Sequence, residues 1–175
     1  MVTLLLEVRM DLPTRPLKGQ RRSLDLLWLA KLEQDGRGAL PPVIPQPPPA
    51  LRLAVTEFNE GQYWQCHETL EEIWMSEEYP LRLFYHGLIK AAVGLLHLER
   101  NNLSGARLKL KDAERTLAPF IPGMMGLDVA DLLAGIKQRL TLIDDNLVLV
   151  KESLDLLPAV QIHDLAIHDS DIKER

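Results

Sequence analysis

The residues that could do chemistry are concentrated in one short stretch, 58–74, which holds a histidine, several carboxylates and a cluster of aromatic side chains around one glycine. On a helix, His67 and Glu71 are four residues apart, so their side chains meet. A carboxylate beside an imidazole can fix its tautomer or stabilise its charged form. The helical wheel puts both residues at the border of the apolar face, and it directs toward water the polar residues Gln65, Glu68, Glu72 and Ser76.

A second group of polar residues lies on the next predicted helix, which is apolar on most of its circumference. His86, Lys90 and His97 form its one polar stripe, and such a stripe on a buried helix must be paired or solvated. Gly94 lies beside the stripe and is expected to leave open space. We therefore expect a groove between two helical hairpins that binds a small polar ligand or a peptide, with the ligand-binding candidates His67, Glu71, Trp74, Lys90 and His97.

Two other functions stay open at this point. Histidines with a carboxylate can hold zinc or iron, which predicts a metal-dependent hydrolase built on His67 and Glu71, with a divalent metal as cofactor and the candidate ligands His67, Glu71, His86 and His97. The His-Glu-x-x-His signature is absent because position 71 is Glu, and the ammonium of Lys90 would repel a cation. The third possibility is a structural helical module that forms a homo-oligomer. Whether any reaction is catalysed is left undecided.

Composition excludes several classes of function. The net charge is −5 and the chain has no long basic block, so no nucleic-acid partner is expected. The apolar run at residues 2–6 is too short for a signal sequence or a membrane span, so no membrane partner is expected. Cys66 is the one cysteine, which rules out an intrachain disulfide and favours a cytoplasmic location. Its place on the apolar arc predicts a small buried residue.

Hydrophobic periodicity and chain breakers predict the elements that position these residues. Helices are expected over 23–34, 50–60, 63–78, 80–100, 103–118 and 128–145, with Ser23 and Asp128 as N-caps. Residues 123–126 are interpreted as a flexible apolar loop that connects two helices or forms a lid, with the helix connection preferred, and Gly61 and Asn101 as left-handed turn residues. The chain divides into an N-terminal arm (1–35), an extended proline-rich linker (36–49), a helical domain (50–145) and a C-terminal tail (146–175).

The predicted fold is all-α: a compact bundle of about five helices, built from two helical hairpins and one further helix, with the N-terminal arm in addition. The arm helix has Leu24, Leu27, Trp28 and Leu32 on one face and is expected to pack on its own domain.

The motif Phe58-Asn59-x-Gly61-x-Tyr63-x-x-x-His67-Glu68-x-Leu70-Glu71-x-x-Trp74 resembles the signature of the domain-of-unknown-function family 309. The stretches 87–92 and 102–106 are similar to the next two helices of that family, and the resemblance covers about residues 50–118. It implies a compact all-helical domain without an established activity, whose characteristic polar positions fall on His67, Glu68 and Glu71. Cys66 and Lys90 depart from the family's usual small residue and Gln.

Overall fold

The computed structural model describes residues 12–17, 19–144 and 157–165. Six helices pack around one core, which confirms the all-α prediction, and each begins and ends within two residues of the expected bounds. They are α1 (Arg21–Asp35), α2 (Pro49–Asn59), α3 (Tyr63–Ser76), α4 (Leu81–Glu99), α5 (Leu103–Leu117) and α6 (Val129–Asp144). None of the described helices is long and apolar enough to cross a membrane.

The helix ends follow local rules in most places. Gly61 and Asn101 have positive φ angles of 76° and 55°, as predicted for the two turns. The Asp128 carboxylate accepts the backbone N–H of Asp131 at 2.8 Å and so caps α6. Ser23 does not cap α1, because that helix already begins at Arg21 and has no side-chain cap.

Helix α4 is the centre of the bundle, and most of its residues are buried. Glycine lets α5 approach it closely: a Cβ on Gly94 would lie 2.6 Å from Leu110 Cδ2, and a Cβ on Gly87 would lie 2.5 Å from Leu117 Cγ. The expectation of open space beside Gly94 is therefore wrong, since the Leu110 side chain occupies it.

Helix α1 packs on the domain, with Leu24, Trp28 and Leu32 in the core as predicted. Leu27 is 46% exposed and Leu29 is buried in its place. The helix is thus rotated relative to the predicted face, because Trp28 stacks on the Tyr79 ring with 6.0 Å between ring centroids.

The proline-rich segment is not extended throughout. Gly36–Ala39 form a short 3-10 turn, and Pro49 is the first residue of α2. A proline fits that position because the first helical N–H has no partner in the helix.

Residues 123–128 lie between α5 and α6, as expected for a helix connection, but they form a β-hairpin and not a loop or lid. Strand β1 (Gly123–Met124) pairs antiparallel with β2 (Leu127–Asp128). The two turn residues, Met125 and Gly126, both have positive φ, which suits a tight two-residue hairpin turn. Met124 and Met125 are buried and anchor the hairpin on the core.

Part of the predicted tail runs beside this hairpin. Asp164 forms a bridge with Leu127, and the neighbouring side chains of Val160 and Ile162 are buried. The rest of the predicted tail, 146–156 and 166–175, falls outside the described residues.

Candidate functional site

The outer side of α3 places a carboxylate against each ring nitrogen of His67. Glu68 Oε1 lies 3.1 Å from Nδ1, and Glu71 Oε1 lies 3.4 Å from Nε2. The His67 side chain is largely shielded, whereas both carboxylates reach solvent. The predicted pairing of His67 with Glu71 is therefore present. Glu68 was expected to point away, but its flexible side chain turns back to the imidazole.

An aromatic side chain completes this group. Trp64 stacks on the His67 ring with 5.4 Å between centroids and 27° between planes, and it remains 51% exposed. Three and four residues along a helix bring side chains to one side, so Trp64, His67, Glu68 and Glu71 form one continuous surface, here called the α3 face. Cys66 and Leu70 point from the same helix into the core.

The α3 face is negatively charged. Within the described ranges, the ion pairs of Glu68 and Glu71 are to His67 alone, and neither carboxylate has a lysine or arginine within 4.0 Å. Of the part of the chain that the structure describes, this is also the one group of three His, Cys, Asp or Glu residues whose ligand atoms lie within 4.8 Å of one another.

His86 lies at another place, between α1 and the end of α3. Its Nδ1 is 3.2 Å from Asp25 Oδ2, at an ion-pair distance but without hydrogen-bond alignment. The ring also packs against Trp74 at 5.0 Å between centroids. Tyr79 donates its hydroxyl to the other oxygen of Asp25, so Asp25 ties α1 to the start of α4.

The Asp25 carboxylate is the electrostatic centre of this contact. Burial raises its pKa, but the adjacent His86, the hydrogen bond from Tyr79 and the charge of Lys90 outweigh burial and leave the pKa below the ordinary value of 3.8. Burial and the nearby Asp25 together raise the pKa of the Tyr79 hydroxyl. Asp25 is therefore a partly buried carboxylate that is held in its charged form.

Trp74 is covered rather than open to a ligand. The guanidinium of Arg82 lies 4.1 Å from its ring centroid, and that of Arg21 lies 5.5 Å away. Arg82 is almost fully buried and donates to the backbone carbonyls of Trp74, Met75 and Glu77 at the end of α3. Its role is to close that helix end.

The other two candidates on α4 also have local partners. Lys90 Nζ donates to Thr116 Oγ1 at 3.0 Å, and burial lowers the pKa of the Lys90 ammonium while Asp112 and Asp25 oppose the shift. His97 Nδ1 lies 3.1 Å from Asn102 Nδ2 at the turn into α5.

The structure therefore does not assemble the predicted groove as one site. His67 and Glu71 come together on the α3 face, while His86, Lys90 and His97 have partners on α1, α5 and the α4–α5 turn. The four-residue metal set is likewise not gathered, since His86 and His97 are not part of the one cluster with convergent ligand atoms among the described residues.

Cys66 is placed as predicted. It is fully buried, and burial followed by the charge of Glu57 raises the pKa of its thiol to about 12. A thiol that stays protonated at neutral pH is a poor nucleophile, so Cys66 acts as a small core residue.

Asn59 has a structural role that the sequence did not reveal. Its carboxamide accepts the backbone N–H of Ile162 at 2.7 Å and donates to the Ile162 carbonyl at 2.9 Å. Gln161 donates in turn to the Asn59 carbonyl at 3.1 Å. Asn59 thus pins the segment 157–165, more than a hundred residues away along the chain.

Comparison with known proteins supports the resemblance. Residues 51–108 match the family described as "Domain of unknown function (DUF309)", which confirms the predicted likeness over this stretch. The stretch contains most of α2, all of α3 and α4 and the first turns of α5, and therefore the whole α3 face.

Two relatives align with the chain. An "Uncharacterized protein" of Aquifex aeolicus (strain VF5) is 26% identical over 91 residues, which is 51% of this chain and 27% of the relative. "Uncharacterized protein YpuF" of Bacillus subtilis (strain 168) is 37% identical over 65 residues, which is 36% of this chain and 37% of the relative. The chain thus spans about a third of the length of each. No solved structure matches the chain.

Proposed function

We propose that the domain is a binding module whose α3 face takes a positively charged group, such as a lysine or arginine side chain of a peptide or protein partner. One observation supports this most: a half-exposed Trp64 is stacked beside two carboxylates that have no basic partner among the described residues. An exposed tryptophan is typical of recognition surfaces, and an ammonium or guanidinium gains from both a ring face and a carboxylate.

The rigidity of the α3 face supports the same function. The surface consists of side chains from one rigid helix, backed by the buried Cys66 and Leu70, so it is already formed before a ligand binds. A preorganised surface loses less conformational entropy on binding than a flexible one.

Calorimetric titration with a short Lys- and Arg-rich peptide tests the proposal. The double variant Glu68→Gln/Glu71→Gln should weaken binding about tenfold, because each exposed contact between opposite charges contributes about 0.2–1 kcal/mol. The matched control is Glu33→Gln/Asp35→Asn, which removes the same charge from two exposed positions on α1. Equal weakening in both variants would show general charge attraction and would contradict a site on the α3 face.

A divalent metal is a second candidate ligand of this surface. The convergence of ligand atoms of His67, Glu68 and Glu71 within 4.8 Å favours it, and one imidazole with two carboxylates suits zinc or iron. Metal binding requires a neutral imidazole that gives up one of its carboxylate contacts. With these three side chains as ligands, a metal ion would keep a coordination position open for water or substrate, as a metal-dependent hydrolase requires.

Metal analysis separates the two ligands. Protein purified without a histidine tag and carrying about one equivalent of metal would support the metal site, provided that Glu71→Gln lowers the content. Less than about a tenth of an equivalent would exclude a resident metal and leave the basic-group proposal intact.

The prediction of a structural, oligomerising module is tested by light scattering on the purified chain. A dimer that Trp64→Ala dissociates would assign the α3 face to self-association, and a monomer would reject that function. The cytoplasmic location stays a prediction that is supported by the single cysteine.

A further inference from the structure

A cleft of about 650 Å³ lies on another side of the molecule, beside the first half of α2. The proline-rich segment forms one wall, α2 a second, and the β-hairpin with the start of the tail segment forms the rest. Its volume falls within the range of about 300–1,000 Å³ that is usual for small-molecule sites. No local sequence pattern predicts this cleft, because its walls come from four separate parts of the chain.

The surface of the cleft is part polar and part apolar, and the apolar part is built from ordered elements. It is lined by aliphatic and methionine side chains, of which the main ones are Ile44, Leu51, Val55, Met124, Met125 and Leu127. Pro45 and Pro47 add rigid walls without backbone N–H donors. The apolar part of this lining can take a hydrocarbon ligand body.

Positively charged side chains outnumber negatively charged ones in the cleft. Arg37 and Arg52 both line it, against one carboxylate, that of Asp164. Both arginines are exposed, and the ion pairs found within the described residues include neither of them. A guanidinium binds a carboxylate through two parallel hydrogen bonds, which gives direction as well as charge.

We propose that this cleft binds a small amphipathic carboxylate, with its hydrocarbon body against the apolar wall and its carboxylate at Arg37 and Arg52. The proposal does not depend on the function of the α3 face, because the two surfaces share no residue. Most of the cleft also lies outside residues 51–108, so this site belongs to the present chain rather than to the matched domain in general.

Calorimetric titration of the full chain with decanoate tests the proposal, with decanol as the uncharged probe and butanoate as the probe with a short body. We expect saturable one-to-one binding of decanoate and at least about tenfold weaker binding of the other two. Failure of decanoate to bind, or equal affinity for decanol, would overturn the proposal.

Variants locate the binding. Arg37→Gln/Arg52→Gln should weaken decanoate binding about tenfold, whereas Arg22→Gln/Arg100→Gln, an equal charge change at exposed positions elsewhere, should leave the affinity unchanged.

Thr56→Trp should block the cleft from its exposed rim. Glu71→Gln should have no effect, which keeps this result separate from any result on the α3 face. Unchanged affinity in both the double-arginine and the Thr56→Trp variants would place decanoate elsewhere and contradict the proposal.

Discussion

His67 has a carboxylate against each of its ring nitrogens, and this arrangement decides what the α3 face can bind. Glu68 Oε1 lies at hydrogen-bond distance from Nδ1, whereas Glu71 Oε1 lies at ion-pair distance from Nε2, so two carboxylates surround one imidazole and leave an excess of negative charge. That excess attracts a basic group. A metal would have to displace one of the two contacts and take a neutral ring nitrogen, whereas a basic group can bind with both contacts kept.

Asn59 shows how one side chain can hold a distant segment. Its carboxamide has a donor and an acceptor side by side, as a strand backbone has, and it uses both on Ile162. The segment 157–165 therefore depends on this residue as well as on the burial of Val160 and Ile162.

Replacing Asn59 by Ala should destabilise the protein by about 1–3 kcal/mol, because the backbone groups of Ile162 lose their partners. Urea unfolding measures this loss, and amide exchange at Ile162 should accelerate at the same time. Gln65→Ala, at an exposed position on α3, is the control. Unchanged exchange at Ile162 in the Asn59 variant would contradict the assigned role.

Sequence reasoning found part of this residue-level picture. The pairing of His67 with Glu71 follows from helical spacing. The turn of Glu68 toward His67 does not, because a helical wheel fixes the direction of Cβ and not the path of a flexible side chain. The role of Asn59 was also out of reach, since its partner is separated by 103 residues and no local pattern encodes that contact.

At the scale of the elements, α1 is held to the bundle by two kinds of contact. Leu24, Trp28 and Leu32 are buried in the common core, and Asp25 makes charged contacts to Tyr79 and His86. The apolar contacts contribute at any pH, whereas the contribution of Asp25 requires an ionised carboxylate.

Asp25→Asn should therefore have a pH-dependent effect. The pKa of Asp25 is lower in the folded protein than its ordinary value of 3.8, so its contribution is fully present above about pH 4 and is lost as the pH falls through the folded pKa. We expect the variant to be less stable by about 1–3 kcal/mol at neutral pH, with the difference shrinking in acid. Urea unfolding from pH 7 to pH 3 measures it, with Glu33→Gln on the same helix as control. A difference that stays constant with pH would contradict this account.

The close approach of α5 to α4 depends on glycine. A Cβ at Gly94 would lie 2.6 Å from Leu110 Cδ2 and 3.2 Å from the Leu110 backbone nitrogen, so α5 would have to move. Gly94→Ala should destabilise by about 1–2 kcal/mol, because overpacking costs more than the gain in helix propensity. Thermal unfolding tests this against Gly38→Ala, where a Cβ meets nothing within 4 Å. A stabilised Gly94 variant would show that the interface has room.

The first and last residues of the helices could be predicted from the sequence, whereas the contacts between the elements were less predictable. Periodicity and breakers gave all six helices because each signal is local. The rotation of α1 was missed because the stacking of Trp28 on Tyr79 decides it. The hairpin was missed because Gly and Met residues beside a proline also fit a loop. Met124 and Met125 are buried against the core, and only this packing makes the segment two short strands joined by a turn.

At the scale of the whole molecule, two surfaces of different character lie on one helical core. The α3 face is acidic and aromatic and lies within the stretch that matches the family. The cleft combines apolar walls with two arginines and is built mainly from segments outside that stretch. The helical fold could be predicted because each helix has a local sequence signal. The cleft could not, because it forms only where segments that are distant in the sequence come together.

The most direct test of the central claim is a nuclear magnetic resonance titration of the ¹⁵N-labelled protein with the Lys- and Arg-rich peptide. We predict saturable shifts of the Trp64 indole N–H and of the backbone amides around His67 and Glu71, with no shifts along the cleft. Shifts that are centred elsewhere, or a Trp64 signal that does not move at saturation, would contradict the assignment of the α3 face as the binding surface.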